Sequence, residues 1–349
     1  MNLIDFIRYL LIVTIFQSNI CNIHSINIEN KNKKSEINNE DIIVGANQIS
    51  EYIDYINKSN IGIVANHTSV IFKKDNSSTH LVDSLLSLNL KISKIFTPEH
   101  GYKGENYNGE NVSDKVDQKT GLEIISLHGK DREYGKISDN DLIDINMMIF
   151  DIQDVGTRFY THISTLHYVM EACARNNIPL LVLDRPNPNG SYIDGPVLEN
   201  ENKSFVGMHP VPIVYGMTIG EYALMINGEG WLGDKLKCKL KVIKLLNYKH
   251  DYNYSLLIKP SPNLPNDRSI FLYPSLCLFE GTNVSVGRGT TNQFQVFGSP
   301  YLDQKIYSFT FIPEPNQSSK YPPHNNKKCY GLDLRDHLLE RKLNLSYII

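Results

Sequence analysis

Apolar residues fall in two alternating patterns from about residue 41 onward. Compact runs at 61–65 (IGIVA), 92–96 (ISKIF), 122–127 (LEIISL), 147–150 (MMIF) and 180–183 (LLVL) have the length and composition of buried strands. Between them, 81–88 and 163–175 carry apolar residues at helical spacing; Leu166, Val169, Met170 and Cys173 share one face of the second. Strand–helix alternation predicts an α/β fold, with a Rossmann-like, mostly parallel sheet. Another helix is predicted over 219–227, with Thr218 as its cap and Glu221 in its first turn. Short strands are expected within 239–246, and PSPNLP at 260–265 reads as loop.

The amino terminus has a different texture. Arg8 precedes an apolar run over 9–16, and Ser18 and Asn19 follow. That is the pattern of a secretory signal peptide, too short to span a bilayer comfortably; it reads alternatively as a disordered or membrane-tethered amino terminus. Residues 22–40 are rich in Asn, Lys, Glu and Ser and read as a solvated linker. The expected division is a signal peptide at 1–21, a linker at 22–40, a Rossmann-like catalytic domain at 41–234 and a smaller α+β domain at 235–349, shortened at its carboxyl end. A periplasmic or secreted location is expected, with no membrane span left after signal cleavage.

Polar residues follow each candidate strand at once. Asn66 and His67 follow the first, Glu99 and His100 the second, His128 the third, Asp151, Gln153 and Asp154 the fourth, and Asp184 and Arg185 the fifth. In an open parallel sheet, ligands bind beyond the carboxyl ends of the strands. All five clusters converge on that edge and predict a polar pocket there.

Within that set Glu99 is the leading candidate for a general acid. It sits in TPEHG, where Pro98 stiffens the strand exit and Gly101 permits a tight turn. It reads alternatively as a loop-bracing carboxylate. The stretch FDIQDVGTRFYTH concentrates Asp151, Gln153, Asp154, Arg158 and Tyr160, a set suited to gripping sugar hydroxyls and carboxylates. Asp154 with Arg158 reads equally as an internal salt bridge, and Asp184 as a carboxylate that bonds loop amides. FEGTNVSVGRGT at 279–290 brings Glu280, Asn283 and Arg288 among three glycines, as a loop reaching back to the cleft.

Charge and motif content remove several classes of function. The formal net charge is −3 and no long basic block occurs, which argues against nucleic-acid binding. There is no GxSxG elbow, no phosphate-binding GKS or GKT loop and no HExxH, and the five cysteines at 21, 173, 238, 277 and 329 have no metal-ligand spacing. No cofactor and no metal is expected.

The motifs TPEHGYKG, FDIQDVGTRFYTHIST, LVLDRPNPNG, SFVG, YGMTIGE, PSPNLP and FEGTNVSVGRGT occur in this order. Together they resemble the exo-β-N-acetylmuramidase (NamZ-like) family over about residues 41 to 335. The resemblance implies a periplasmic or secreted glycoside hydrolase. It would release N-acetylmuramic acid from the non-reducing end of peptidoglycan-derived saccharides, in a cleft between a Rossmann-like domain and an auxiliary domain. It implies Glu99 as the catalytic carboxylate, with Asp151 or Asp154 as a second group or with the sugar's own N-acetyl group assisting. Asn66, His100, Gln153, Arg158, Tyr160, Asp184, Arg185, Glu280, Asn283 and Arg288 would bind substrate. Arg158, Arg185 and Arg288 are the candidate partners for the lactyl carboxylate of muramic acid. The chain departs from the family pattern at His128 and His162, where tyrosine is usual, and at Gln295. A non-catalytic muramyl-sugar-binding protein and a metal-dependent hydrolase are the rival readings.

Overall fold

The computed structural model describes residues 42–75, 77–104, 114–128 and 135–348. The expected signal peptide and linker lie outside the described residues. In chain order the principal elements are α1 (Ile49–Ile56), β1 (Ile61–Ala65), β2 (Val70–Phe72), β3 (Ser78–His80), α2 (Leu81–Ser87), β4 (Ile92–Thr97), β5 (Lys115–Val116), β6 (Glu123–Ser126), β7 (Met147–Asp151), α3 (His162–Arg175), β8 (Leu180–Leu183), α4 (Ile219–Gly228), β9 (Leu240–Ile243), α5 (Asp267–Leu276), β10 (Val296–Ser299), β11 (Phe309–Phe311) and β12 (Cys329–Asp333).

The main sheet has seven strands in the order β5-β6-β4-β1-β7-β8-β9. All neighbours pair in parallel except β5 with β6. Because successive side chains of a strand point to opposite faces, β1 sends Val64 to one face and Ile61, Ile63 and Ala65 to the other. Strand β7 divides Met148 and Phe150 from Met147 and Ile149 in the same way. α3 and α4 cover the first face through Leu166, Val169, Met170, Tyr222 and Ile226; α1 and α2 cover the second through Tyr52, Ile56, Leu81 and Leu85. Burial on both faces explains why the central strands are continuous apolar runs.

The helix predicted from Thr218 and Glu221 is present with both halves of its capping box. One boundary is corrected. β9 pairs with β8 in parallel, Leu180 opposite Leu240 and Val182 opposite Val242, so the sheet reaches beyond residue 234, where the sequence places its end. The long irregular connection between the two strands hides that pairing from local pattern.

The carboxyl-terminal part is smaller. α5 starts at an Asn266 cap and carries Pro274 inside it. β10, β12 and β11 form an antiparallel sheet. Ile270, Leu276, Phe294, Phe297 and Leu334 make its core, and Val155 and Tyr160 from the loop after β7 pack into the same cluster. This shared cluster seats the carboxyl-terminal part against the strand ends of the main sheet.

Candidate active site

β1, β4 and β6 step outward on one side of the main sheet and β7, β8 and β9 on the other, so the chain reverses direction between β1 and β7. That switch point is the usual place for a ligand crevice. Here it is stitched shut. Thr68 Oγ1 accepts from the Gln153 amide at 3.0 Å, and Ser69 Oγ donates to the Asp151 carbonyl. The cavity lies instead beyond β4 and β6, and its volume is about 560 Å³.

Five of the residues proposed from sequence line this cavity: Glu99, His100, Tyr160, Glu280 and Arg288. Glu99 leaves β4 through a tight turn in which Gly101 N donates to the Pro98 carbonyl at 3.1 Å. His100 and Gly101 both have positive φ, 71° and 73°. A non-glycine residue in that region carries backbone strain, which clusters at functional sites. Thr161 Oγ1 donates to Glu99 Oε2 at 3.3 Å, and His128 Nε2 lies 4.0 Å from Oε1. Tyr160 donates its hydroxyl to the Pro260 carbonyl at 2.9 Å.

Across the cavity, Arg288 Nε donates to Glu280 Oε1 at 2.5 Å, and the guanidinium lies 5.3 Å from the Phe294 ring centroid. Its Nη1 is buried and has no hydrogen-bond partner. Burial alone would lower the Arg288 pKa; the Glu280 carboxylate outweighs this and holds the group above its ordinary value. The arginine therefore stays charged with one donor face uncommitted.

The remaining proposed residues are elsewhere, and all but Asn283 have side chains engaged structurally. Asp151 is fully buried, with Arg185 Nε on Oδ1 at 2.6 Å and Nη2 on Oδ2 at 2.8 Å. Asp154 Oδ2 accepts from the Gly156 amide at 2.7 Å and from the Tyr215 hydroxyl. Burial pushes its pKa up to about 6. Neither aspartate lines the cavity, which corrects their expected catalytic placement. Arg158 does not pair with Asp154; its Nη1 donates to the carbonyls of Pro196 and Val211. Gln153 donates to the carbonyls of Asp154 and Pro186, both at 2.7 Å. Asn66 Oδ1 accepts from the Thr68 amide and hydroxyl. Asp184 accepts from Gly220 N and Thr218 Oγ1, both at 2.8 Å, at the start of α4. A Cβ at Gly220 would come within 2.7 Å of the Asp184 carboxyl carbon, so the close approach needs glycine. Asn283 is exposed, and its carbonyl faces His324 Nε2 at 2.7 Å.

Several cavity residues had no site role assigned from sequence, His162 among them although it was named there. His162 is 2% exposed, and neither ring nitrogen has a hydrogen-bond partner. Burial drives its pKa down to about 3, so it faces the cavity as a neutral imidazole. Asn263 lines the cavity with a buried, unpartnered Oδ1. Phe159, Phe205, Tyr273 and Phe294 supply an apolar wall. Phe205 and Asn263 stand inside SFVG and PSPNLP, so membership in those motifs was the available signal. An acid, a cation, neutral acceptors and an aromatic wall around one recess can orient a sugar by its faces and polar groups.

Comparison with known proteins gives a consistent result. The family model described as exo-beta-N-acetylmuramidase NamZ, N-terminal, matches residues 61–268, and the corresponding C-terminal model matches 271–346. The chain is 38% identical over 319 residues to the peptidoglycan beta-N-acetylmuramidase NamZ of Bacillus subtilis, covering 86% of this chain and 74% of that one. Two solved DUF1343 family proteins from Bacteroides fragilis share the fold. One has a TM-score of 0.79 at 44% identity, covering 88% of this chain and 82% of the other. The second has a TM-score of 0.74 at 31% identity, covering 88% and 80%.

Proposed function

We infer the activity from one premise: the chain belongs to the exo-beta-N-acetylmuramidase NamZ family. It is a glycoside hydrolase that releases N-acetylmuramic acid from the non-reducing end of peptidoglycan fragments, in cell-wall turnover. The observation that carries the residue assignment is the pairing, within one cavity, of Glu99 with an Arg288 whose Nη1 is uncommitted.

Glu99 donates a proton to the glycosidic oxygen as the bond to the anomeric carbon breaks. Water supplies the hydroxyl that ends on the anomeric carbon, and its proton restores Glu99. With Asp151 and Asp154 outside the cavity, the sugar's N-acetyl group is the favoured second participant. Thr161 and His128 orient the Glu99 carboxyl. Arg288 takes the lactyl carboxylate. Of the three candidate arginines, Arg158 is held by carbonyls and Arg185 by Asp151. The aromatic wall takes a sugar face, and the neutral His162 bonds a hydroxyl or acetamido group.

Export fits this substrate, because peptidoglycan lies outside the cytoplasmic membrane. The support is the apolar run over 9–16. Among the described residues no helix is long and apolar enough to cross a membrane. The test of the reading is release of free N-acetylmuramic acid from a chromogenic β-muramide and from a peptide-free disaccharide. Equal turnover by the wild type and Glu99→Gln would remove Glu99 from the chemistry.

A further inference from the structure

A second cavity, about 800 Å³, lies beside the first, and Ser261 lines both. The partition is the PSPNLP segment with Lys259 before it. The Lys259 carbonyl faces His67 Nε2 at 2.9 Å on one side, and the Pro260 carbonyl accepts from Tyr160 on the other. The wall is thus pinned to the loop after β1 and to the loop after β7.

The chemistry of the second cavity differs from that of the first. Its described lining contains two lysines, Lys103 and Lys259, several amides and hydroxyls, and no carboxylate. Lys103 belongs to the same TPEHGYKG motif as Glu99. Gln293 is 6% exposed and lines this cavity. Its Nε2 donates to Ser318 Oγ at 2.8 Å, and its Oε1 is buried without a partner. Ser318 Oγ in turn donates to Asn316 Oδ1 at 2.8 Å, which fixes the direction of the Gln293 bond. Asn263, in the first cavity, repeats the arrangement: Nδ2 donates to the Ser318 carbonyl at 3.1 Å, and Oδ1 is open. One serine therefore anchors two amides, one in each cavity, each with its nitrogen committed and its oxygen awaiting a donor. A buried acceptor without a donor is unfavourable, and a ligand N–H or O–H removes that penalty.

We propose that the second cavity binds the carboxylate-bearing part of the leaving chain, beyond the bond that is cut. The inference rests on the hydrolase reading above and names the part of the substrate it leaves unassigned. The sugar after the scissile bond is N-acetylglucosamine, and the next is again a muramyl unit. That unit carries either a free lactyl carboxylate or a stem peptide with carboxylates of its own. Lys103 and Lys259 pair with this carboxylate, and Gln293 Oε1 accepts from an acetamido N–H or a hydroxyl.

The test is calorimetric binding of the disaccharide N-acetylglucosaminyl-N-acetylmuramic acid to the full chain, with free N-acetylmuramic acid present to fill the first cavity. Lys103→Ala and Lys259→Ala should each weaken binding about threefold to fivefold, the size of an exposed ion pair. The disaccharide with its carboxyl reduced to an alcohol should bind the wild type as poorly as the acid binds the double variant. Loss with the peptide-free disaccharide identifies the lactyl group as the anion; loss only with a stem-peptide disaccharide identifies the peptide. Equal binding of both disaccharides by wild type and double variant overturns the proposal. The probe has no muramyl bond at its non-reducing end, so its binding is independent of turnover. Failure of the chromogenic assay would sink the hydrolase reading and leave this measurement standing.

Discussion

Asp151 and Arg185 face each other from the carboxyl ends of adjacent strands, joined by two parallel hydrogen bonds of 2.6 and 2.8 Å, and both are almost wholly buried. A third bond, from Arg185 Nη2 to the Val70 carbonyl at 2.9 Å, ties the pair to the start of β2. Such a pair is a brace. Removing one partner strands the other charge, at a cost of about 3–5 kcal/mol. Asp151→Asn should lower stability by that order in urea denaturation while folded molecules keep their turnover. A well-folded Asp151→Asn protein without activity would give the aspartate a part in the chemistry.

Glu99→Gln keeps the shape of the side chain and removes the proton. The expected loss in kcat is on the order of 10²–10⁴, the usual contribution of a positioned acid. Binding of N-acetylmuramic acid, followed by calorimetry, should change by less than about tenfold, because the amide still accepts from Thr161. A fall in affinity that matches the fall in rate would make Glu99 a binding group.

Arg288→Met retains bulk against Phe294 and deletes the charge. Hydrogen bonds to a charged group are worth about 1.5–3 kcal/mol, so KM for muramyl substrates should rise roughly tenfold to a hundredfold. The matching N-acetylglucosamine compound, which lacks the lactyl carboxylate, should lose far less. An equal penalty on both sugars would deny Arg288 the recognition of that carboxylate.

The acid limb of stability should be set by buried histidines. His209 lies between His167 Nδ1, at 2.9 Å, and the Tyr222 hydroxyl, at 3.1 Å, and stacks on Trp231. Burial, helped by neighbouring positive charge, lowers His209 to about 2 and His167 to about 4; burial lowers His162 to about 3. An unfolded histidine titrates near 6.5, so below that pH the unfolded chain takes up protons the fold refuses. Their stabilising contribution is complete above about 6.5 and is lost as the pH falls toward 4. Asp154 and Asp184, raised by burial to about 6 and about 7, act in the opposite sense. Their contribution is complete below about 3.9 and is lost as the pH rises through 6 and 7. Three such histidines outnumber two such aspartates, so stability should fall on acidification from 6.5 to 4.5. In His209→Phe the slope should drop by about 1.4 kcal/mol per pH unit, whatever the change in absolute stability. Urea denaturation across that window measures it, and an unaltered slope would contradict the assignment.

The sheet was legible because its central strands are buried on both faces, which leaves long apolar words such as MMIF and LLVL in the sequence. β9 was harder: its partner stands far upstream, and pairing between distant segments leaves no local mark. α5 was hidden by the prolines before it and within it, since proline usually ends a helix. At the site, Glu99 was readable from the stiffened turn that holds it. Asp151, Gln153, Asp184 and Arg185 occupy the same edge of the sheet, yet Asp151 and Arg185 satisfy one another, Gln153 bonds the carbonyls of neighbouring loops, and Asp184 accepts from the start of α4. Polar residues at a strand exit signal either a ligand or a stitch, and only the third dimension tells them apart. His162, Phe205 and Asn263 come from segments that meet only after folding.

Glu99 is carried by the fourth strand's exit, whereas Arg288 and its Glu280 partner ride on the glycine-rich loop of the carboxyl-terminal part. On the roles proposed above, cutting and choosing are written on separate stretches of the gene. Drift in the loop would then retune which acidic sugar is accepted while the proposed cleaving group stays untouched, a division of labour that would let one scaffold follow changes in the wall polymer.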